Sequence, residues 1–304
     1  MAWADEPVQN TRNLFHTMYQ EPSKVWLITG CSTGFGAALV LEALSQGYKV
    51  IATARSVSKL ANLTEAGADT LELDVTASLD DLKAIAKQAY SIHNRLDILV
   101  NNAGYSLQGT IEELTPEETQ SQFDTNVFGL LNVTRACLPY FRAQRSGTIA
   151  NISSIGAWRG APGIGTYTSS KWAVSGFSET MTGELADFGI KVCCIEPGYF
   201  RSSFLNPGNR KTDQRRIPEY EGTMGDKVTK MMDQYDNNQP GDVKKGAKVM
   251  VDVLSERSGR GVPIRLALGG DAYHAIKQKC EETLELLEAW KDITTTTDHD
   301  DVKH

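Results

Sequence analysis

Apolar residues fall in short runs at regular intervals along this chain, separated by stretches with helical spacing. KVWLITG at 24–30 has strand length and ends in glycine, and AALVLEALS at 37–45 reads as the helix that follows. Gly47 supplies a stop signal just past its end. Val50–Ala54 is the next strand. Strand, glycine loop, helix and strand in that order open a parallel sheet. The alternation continues with a strand at Thr70–Leu73, a helix at Leu79–Ile92 and a strand at Leu96–Val100. A long helix from about Glu117 to Gln144 precedes a strand at Thr148–Ser154, a helix at Tyr167–Phe188 and a strand at Lys191–Ile195. Residues 203–240 lose the pattern, and an insertion of that size beside a sheet's C-terminal edge reads as a lid or substrate loop. Asp242–Leu254 returns to helix and Pro263–Leu268 is the last strand. A final amphipathic helix carries Ile276, Cys280, Leu284, Leu287 and Trp290 on one face. The pattern predicts an α/β fold with a single doubly wound parallel sheet. It divides the chain into an extension at 1–23, a body at 24–270, and a C-terminal helix with an acidic tail at 271–304. Leu14, Phe15, Met18 and Tyr19 give the extension the spacing of one docking helical turn.

The loop between the first strand and its helix reads TGCSTGFG, with glycines at 30, 34 and 36. Such glycines let the backbone turn tightly and approach a pyrophosphate, whose charge then sits at the helix N-terminus. Ser32 adds a hydroxyl to that loop. The second strand ends Thr53-Ala54-Arg55-Ser56, without the acid that would bind the ribose hydroxyls of NAD. Arg55 offers a guanidinium for a 2′-phosphate instead, which favours NADP(H). Asp74, after the third strand, is placed to meet an adenine amino group. Asn102, Ala103 and Gly104 follow the fourth strand, where small residues suit a backbone lying against a cofactor ribose.

Composition narrows the partners. Of the net charge of −7, residues 281–304 hold −6, eight acids against Lys291 and Lys303. No basic surface for nucleic acid is predicted, and a tail of this sign repels DNA and anionic lipid. No apolar run approaches membrane-spanning length, and MAWADEPVQN lacks the apolar core of a signal peptide. The five cysteines (Cys31, Cys137, Cys193, Cys194, Cys280) have no metal-like spacing, so no metal is expected, and their use fits a reducing, cytoplasmic setting.

Candidate chemistry centres on SIGAWRGAPGIGTYTSSK, residues 154–171. Tyr167 and Lys171 are four apart, one helical turn, so their side chains can meet. A nearby ammonium favours the phenolate and pulls the tyrosine's acidity towards neutrality, where proton transfer is most useful. Ser154 can hydrogen-bond a substrate oxygen that gains or loses charge. Tyr-x-x-x-Lys alone is a weak signal, and Tyr273 with Lys277 repeats it.

Five signals agree in order and spacing: TGCSTGFG, NNAG, Asn126, Ser154 with Tyr167-x-x-x-Lys171, and the Pro197-Gly198 turn. Together they resemble the short-chain dehydrogenase/reductase family, in its shorter, non-extended branch, over roughly residues 24–270. The resemblance implies a Rossmann fold with Tyr167 as general acid/base, and with Lys171 lowering its pKa and holding the nicotinamide ribose. It implies that Ser154 orients the substrate oxygen and that Asn126 supports a water linking the lysine to solvent. Backbone around Gly30, Thr33, Gly34, Phe35, Gly36, Pro197, Gly198 and Phe200 would hold the cofactor. Ser202, in place of the family's threonine, keeps a hydroxyl there. Phe35 and Phe200 stand where smaller aliphatic residues are usual, and Phe200 is expected to reshape the nicotinamide pocket. Tyr105, Trp158 and Tyr199, on three cofactor-edge loops, suggest an apolar or ring-shaped small-molecule carbonyl substrate. A homodimer or homotetramer is implied as well. Two readings stay open: an NADP(H)-dependent ketone reductase or alcohol dehydrogenase, and a non-catalytic cofactor-binding sensor or assembly protein on the same fold.

Overall fold

The computed structural model describes residues 23–206, 210–212, 215–236, 238–299 and 301–302. The helical turn expected around Leu14–Tyr19 lies outside the described residues. The first strand, β1 (Val25–Ile28), is buried on every side chain, as a strand covered on both faces must be. It leads into α1 (Gly34–Ser45) and β2 (Lys49–Ala54), then a short α2 (Ala61–Glu65), β3 (Asp69–Glu72), α3 (Leu79–His93) and β4 (Ile98–Asn101). A short β5 (Ser106–Gln108) precedes α4 (Pro116–Phe123), α5 (Leu130–Gln144), β6 (Gly147–Ile152), α6 (Gly165–Leu185) and β7 (Ile190–Pro197). The C-terminal third holds β8 (Phe200–Arg201), β9 (Arg210–Thr212), α7 (Met224–Tyr235), β10 (Gly241–Asp242), α8 (Val243–Leu254), β11 (Arg265–Leu268) and α9 (Gly270–Thr294).

Seven strands form one parallel sheet in the order β11-β7-β6-β4-β1-β2-β3, the doubly wound arrangement the sequence predicts. Trp26 and Ile28 face one layer, with Leu39, Val40, Ala247 and Met250 of α1 and α8. Val25 and Leu27 face the other, with Leu82, Val133, Phe141 and Met181 of α3, α5 and α6. β1 pairs with β2 on one side and β4 on the other, so the connections leaving β1 and β4 diverge. Such a divergence opens a crevice at the strands' C-terminal ends.

The helix expected across Glu117–Gln144 is interrupted. α4 starts from a capping box, Thr115 with Glu118, and a wide π-type turn at Asp124–Gly129 separates it from α5. The turn fits two local demands. Asn126, 1% exposed, turns its amide onto the Tyr105 backbone, and Gly129 sits so close to Val75 that a Cβ there would lie 2.8 Å from its methyl. The described residues of the insertion also form regular elements that the sequence pattern does not announce. Its β9 pairs with β5, and its α7 forms a wall of the crevice.

Beyond the half-buried Ile276, the stripe expected on the last helix is solvent-exposed. Only Ala272 of α9 is buried, whereas Leu284, Leu287 and Trp290 are 66%, 64% and 53% exposed. Only the start of α9 is anchored, against β11 and the turn at Ile155–Ala157. Cys31, Cys137, Cys193 and Cys194 are buried and Cys280 is exposed. Among the described residues no helix is long and apolar enough to cross a membrane, and no acid, histidine or cysteine cluster could hold a metal.

Candidate active site

A cleft of about 830 Å³ runs along the C-terminal ends of the strands. One end is built by the first glycine loop. Gly30 has φ +70, and a Cβ there would lie 2.8 Å from the Cα of Ala103. A Cβ on Gly36 would come within 2.9 Å of the Cα of Cys31 and 2.7 Å of Asn102 Nδ2. Glycine is required at both places because backbone and anchoring side chains leave no room. Asn102 ties the two loops together, donating from Nδ2 to the carbonyls of Thr29 (2.9 Å) and Gly30 (3.0 Å). Thr33 stands at the N-cap of α1 in extended conformation, and the helix N-terminus opens on the cleft beside Ser32, Gly34 and Phe35.

Arg55 and Asp74 line the same end, both exposed. Asp74 Oδ1 accepts from Thr76 N (2.9 Å) and Thr76 Oγ1 (2.7 Å), which fixes the carboxylate's direction. Across the cleft, the turn after β7 contributes Pro197, Gly198, Tyr199, Phe200 and Ser202. Sequence reasoning missed what holds this turn. Asp271, in the first turn of α9, accepts the Tyr199 N–H at Oδ2 (2.7 Å), and its carboxylate fills the space where a Gly198 side chain would stand. The Phe200 ring contacts Phe35 with centroids 4.9 Å apart, and Gly246 of α8 leaves room for both. Ser202 Oγ accepts from Phe204 N at 3.3 Å.

The middle of the cleft brings Ser154, Tyr167 and Lys171 together, with the first from the loop after β6 and the other two from α6. The Ser154 hydroxyl pulls the Tyr167 phenol towards its ionised form, and Ser154 Oγ accepts from Gly156 N at 3.0 Å. Burial nevertheless pushes the phenol up, to about 12, against the pull of Ser154. The lowering expected from Lys171 is not among the influences on this phenol, which burial raises instead. Lys171 Nζ lies 5.8 Å from the tyrosine ring centroid and donates to the Ile152 carbonyl at 2.8 Å. Burial lowers this lysine to about 8, because a desolvated ammonium is disfavoured.

Asn126 stands behind the lysine rather than on the cleft wall. Its Nδ2 donates to Tyr105 O (3.0 Å) and Ser170 Oγ (3.2 Å), and its Oδ1 accepts from Tyr105 N (3.1 Å). A Cβ placed on Gly104 would lie 3.1 Å from Asn126 Oδ1 and 3.7 Å from Lys171 Nζ. Gly104 thus keeps the asparagine, the lysine and the NNAG backbone in close register.

The far end is the more apolar one. Tyr105 and Tyr199 line it, as the sequence suggested, but Trp158 does not. That indole packs under the Arg265 guanidinium, 4.5 Å away. Phe204 lines the wall instead, 5.9 Å from the Tyr167 ring, with Ile155, Ile164 and Leu205. From α7 come Val228, Met231, Met232 and Tyr235. Those four positions are a helical stripe (i, i+3, i+4, i+7) visible in the sequence. Tyr235 meets Tyr199 edge-on at 5.2 Å. The Tyr199 phenol is pushed up by burial, against the pull of Arg159.

A nucleotide-sized crevice floored by obligatory glycines, with a tyrosine, a serine and a buried lysine at its centre, invites comparison with proteins of known family. The family model for short chain dehydrogenase matches residues 24–213. An oxidoreductase of Botryotinia fuckeliana is 34% identical over 276 residues, 90% of this chain and 98% of its own. A 3-ketodihydrosphingosine reductase of Bacteroides thetaiotaomicron is 41% identical over 199 residues, 66% of this chain and 70% of its own. Among solved structures, a short-chain dehydrogenase from Streptomyces avermitilis superposes with a TM-score of 0.82 at 36% identity, covering 91% of this chain and all of that one. A Burkholderia phymatum dehydrogenase/reductase in complex with NAD, 22% identical with a TM-score of 0.74 over 88% and 96% of the two chains, shares the fold. The glycine loop, the serine–tyrosine–lysine centre and these matches agree, and the chain belongs to the short-chain dehydrogenase/reductase family of oxidoreductases.

Proposed function

We propose that this oxidoreductase uses NADP(H) to interconvert a ketone and a secondary alcohol on an apolar small molecule, working chiefly as a ketone reductase. The observation that carries this reading is the convergence of Ser154, Tyr167 and Lys171 on one cleft, with Lys171 one turn along the helix from the tyrosine and its Nζ 5.8 Å from the tyrosine ring. The crevice fits a dinucleotide. The α1 N-terminus and the glycine loop would take the pyrophosphate, Asp74 the adenine, and Asn102–Gly104 a ribose. Arg55, with no acid beside it, would take a 2′-phosphate. Pro197, Gly198, Phe200 and Ser202 would hold the nicotinamide end. When bound, the cofactor supplies or accepts the hydride.

In this reading Tyr167 gives its proton to the carbonyl oxygen during reduction, and Ser154 holds that oxygen by hydrogen bonding. A phenol kept protonated by burial is in the state a general acid requires. Lys171 would hydrogen-bond the nicotinamide ribose, and Asn126 positions the Tyr105 backbone and the surroundings of the lysine. Apolar side chains from the insertion would help shield the far end from water. The relative named as a 3-ketodihydrosphingosine reductase supports ketone reduction as the direction. Self-association into a homodimer or homotetramer is part of the proposal, supported by Phe128, Trp172 and Phe177, which are 45%, 50% and 40% exposed beside and on α6. Consumption of NADPH with apolar linear and cyclic ketones tests the function. Tyr167→Phe should keep NADPH binding and lose turnover by roughly a hundredfold or more, as expected for a lost general acid. Undiminished turnover in that variant would remove the assignment.

A further inference from the structure

Gln108, the last residue of β5, is 1% exposed, yet among the described residues neither its Oε1 nor its Nε2 has a hydrogen-bond partner. Ser106 and Gln108 line the cleft while Leu107 between them does not, as strand alternation requires. A primary amide carries two N–H donors and two acceptor lone pairs. Buried side-chain polar atoms are normally satisfied, so an amide with both ends open in a folded protein points to a partner that comes from outside.

The surrounding backbone does not need this side chain. Leu107 N–H is held by Gln122 Oε1 at 2.7 Å, and Gln122 Nε2 donates to Tyr105 O at 2.9 Å. Gly109 N–H is held by Gly163 O at 2.9 Å, and β5 is paired with β9. Gln122, equally buried, uses both ends of its amide. Gln239 resembles Gln108 in burial and open ends and also lines the cleft. It lies two residues before Gly241, which pairs with Phe200, so it abuts the turn assigned to the nicotinamide. Gln108 stands elsewhere. Its strand leads into Gly109, bridged to Ile164, three residues before Tyr167.

We propose that Gln108 is a specificity-determining residue: it binds a hydroxyl or carboxamide that the ketone substrate carries in addition to its reacting carbonyl. The inference deepens, and rests on, the ketone-reductase reading. A neutral group that both donates and accepts is the complement of a neutral buried amide. An anionic group would be drawn instead to Lys211, which lines the same cleft over the Tyr105 ring at 4.7 Å. The remaining wall, with Ile155, Ile164, Phe204, Val228 and Met232, takes the apolar bulk of the molecule.

The test uses two parent ketones, dodecan-3-one and 2-decalone, each with a series of monohydroxylated versions that move the hydroxyl along the skeleton. At least one hydroxyketone should exceed its parent in kcat/KM by roughly tenfold, the size of one well-made hydrogen bond in a closed site. Gln108→Met should bring that ratio to within about twofold of one, since its side chain keeps the volume and loses the amide. The thermal midpoint of Q108M should match or exceed that of the unaltered protein, because no native hydrogen bond is lost. No preference for any hydroxyketone, a preference that survives in Q108M, or a marked fall in midpoint would each overturn the proposal. If no ketone is reduced, the ketone-reductase reading fails on its own, and calorimetric affinities of the NADPH-bound protein for the same pairs decide the subsite. Hydroxyl-dependent affinity that disappears in Q108M upholds it; affinity blind to the hydroxyl ends it.

Discussion

Lys171 stores an energy that alkaline titration can reveal. It is buried and its amine is lowered from 10.5 to about 8 in the folded chain. In the unfolded chain the same group keeps its ordinary value of about 10.4. Below pH 8 both states carry the proton, and the folded state bears the full cost of an ammonium held out of water. Between pH 8 and 10.5 the folded state releases its proton first, so the unfolded state binds more, and stability rises with pH. At about 1.4 kcal/mol per pH unit, the separation amounts to something on the order of 3 kcal/mol. Lys171→Met removes the charge and keeps the stem, so the nucleotide-free variant should be more stable than the parent by that order at pH 7. The advantage should shrink progressively towards pH 10. Tyr167 works in the opposite sense at higher pH. Its phenol, raised to about 12, keeps its proton when the unfolded chain begins to lose it near 10, so its contribution lowers stability above that point. Urea unfolding of both proteins at pH 7, 8, 9 and 10 separates the two effects. An advantage of Lys171→Met that is zero at pH 7, or constant across the range, would refute the reasoning.

Cofactor choice should follow Arg55. One charge-assisted hydrogen bond to a 2′-phosphate is worth about 1.5–3 kcal/mol, so NADPH should bind roughly ten- to a hundredfold more tightly than NADH, and the double change A54D with Arg55→Ser should reverse that order in fluorescence titrations. Asp271→Ala should strand the Tyr199 N–H in the turn after β7, costing about 1–3 kcal/mol in thermal unfolding and raising the KM for cofactor. Trp172→Glu, at a half-exposed position on α6, should leave the chain folded but shift it to monomer in light scattering at micromolar concentration; a parent that is already monomeric would remove the self-association proposal.

Much of the scaffold was legible because its signals are local. Strands covered on both faces read as short apolar runs, and the glycines at 30 and 36 answer to close approach of neighbouring chain that no other residue permits. Tyr167 could be chosen over Tyr273 because only the former has a serine thirteen residues before it, and the structure puts Tyr273 on exposed α9, 58% accessible. The break at Asp124–Gly129 was not legible. Its reasons, the Asn126 hold on Tyr105 and the approach of Gly129 to Val75, join residues about twenty to fifty apart and leave the helical pattern of the sequence intact. The wall from α7 was missed for another reason. Its stripe of Val228, Met231, Met232 and Tyr235 is set among charged neighbours and has only two turns in which to show a period.

Phe35 and Phe200 show why residue-by-residue comparison with a family pattern can mislead. Each, taken alone, is too large for its place, and Phe200 was expected to reshape the nicotinamide pocket. In the fold they occupy one another's surplus space, tilted at 59° with centroids 4.9 Å apart, an arrangement favourable for aromatic pairs. The room comes from a third element. A Cβ on Gly246 would lie 2.8 Å from the Phe35 ring and 2.9 Å from the Phe200 ring, so glycine at this position of α8 lets both rings lie against the helix. Gly241 makes the same concession to Phe200, where a Cβ would fall 2.6 Å from the ring. Two enlargements and two glycines therefore form one packing unit that joins α1, β8, β10 and α8. Both phenylalanines line the cleft and are packed against the core beside α8. Departures at separate positions can be conservative when they are correlated in space, and here Gly246 on α8 and Gly241 on β10 carry the correlation.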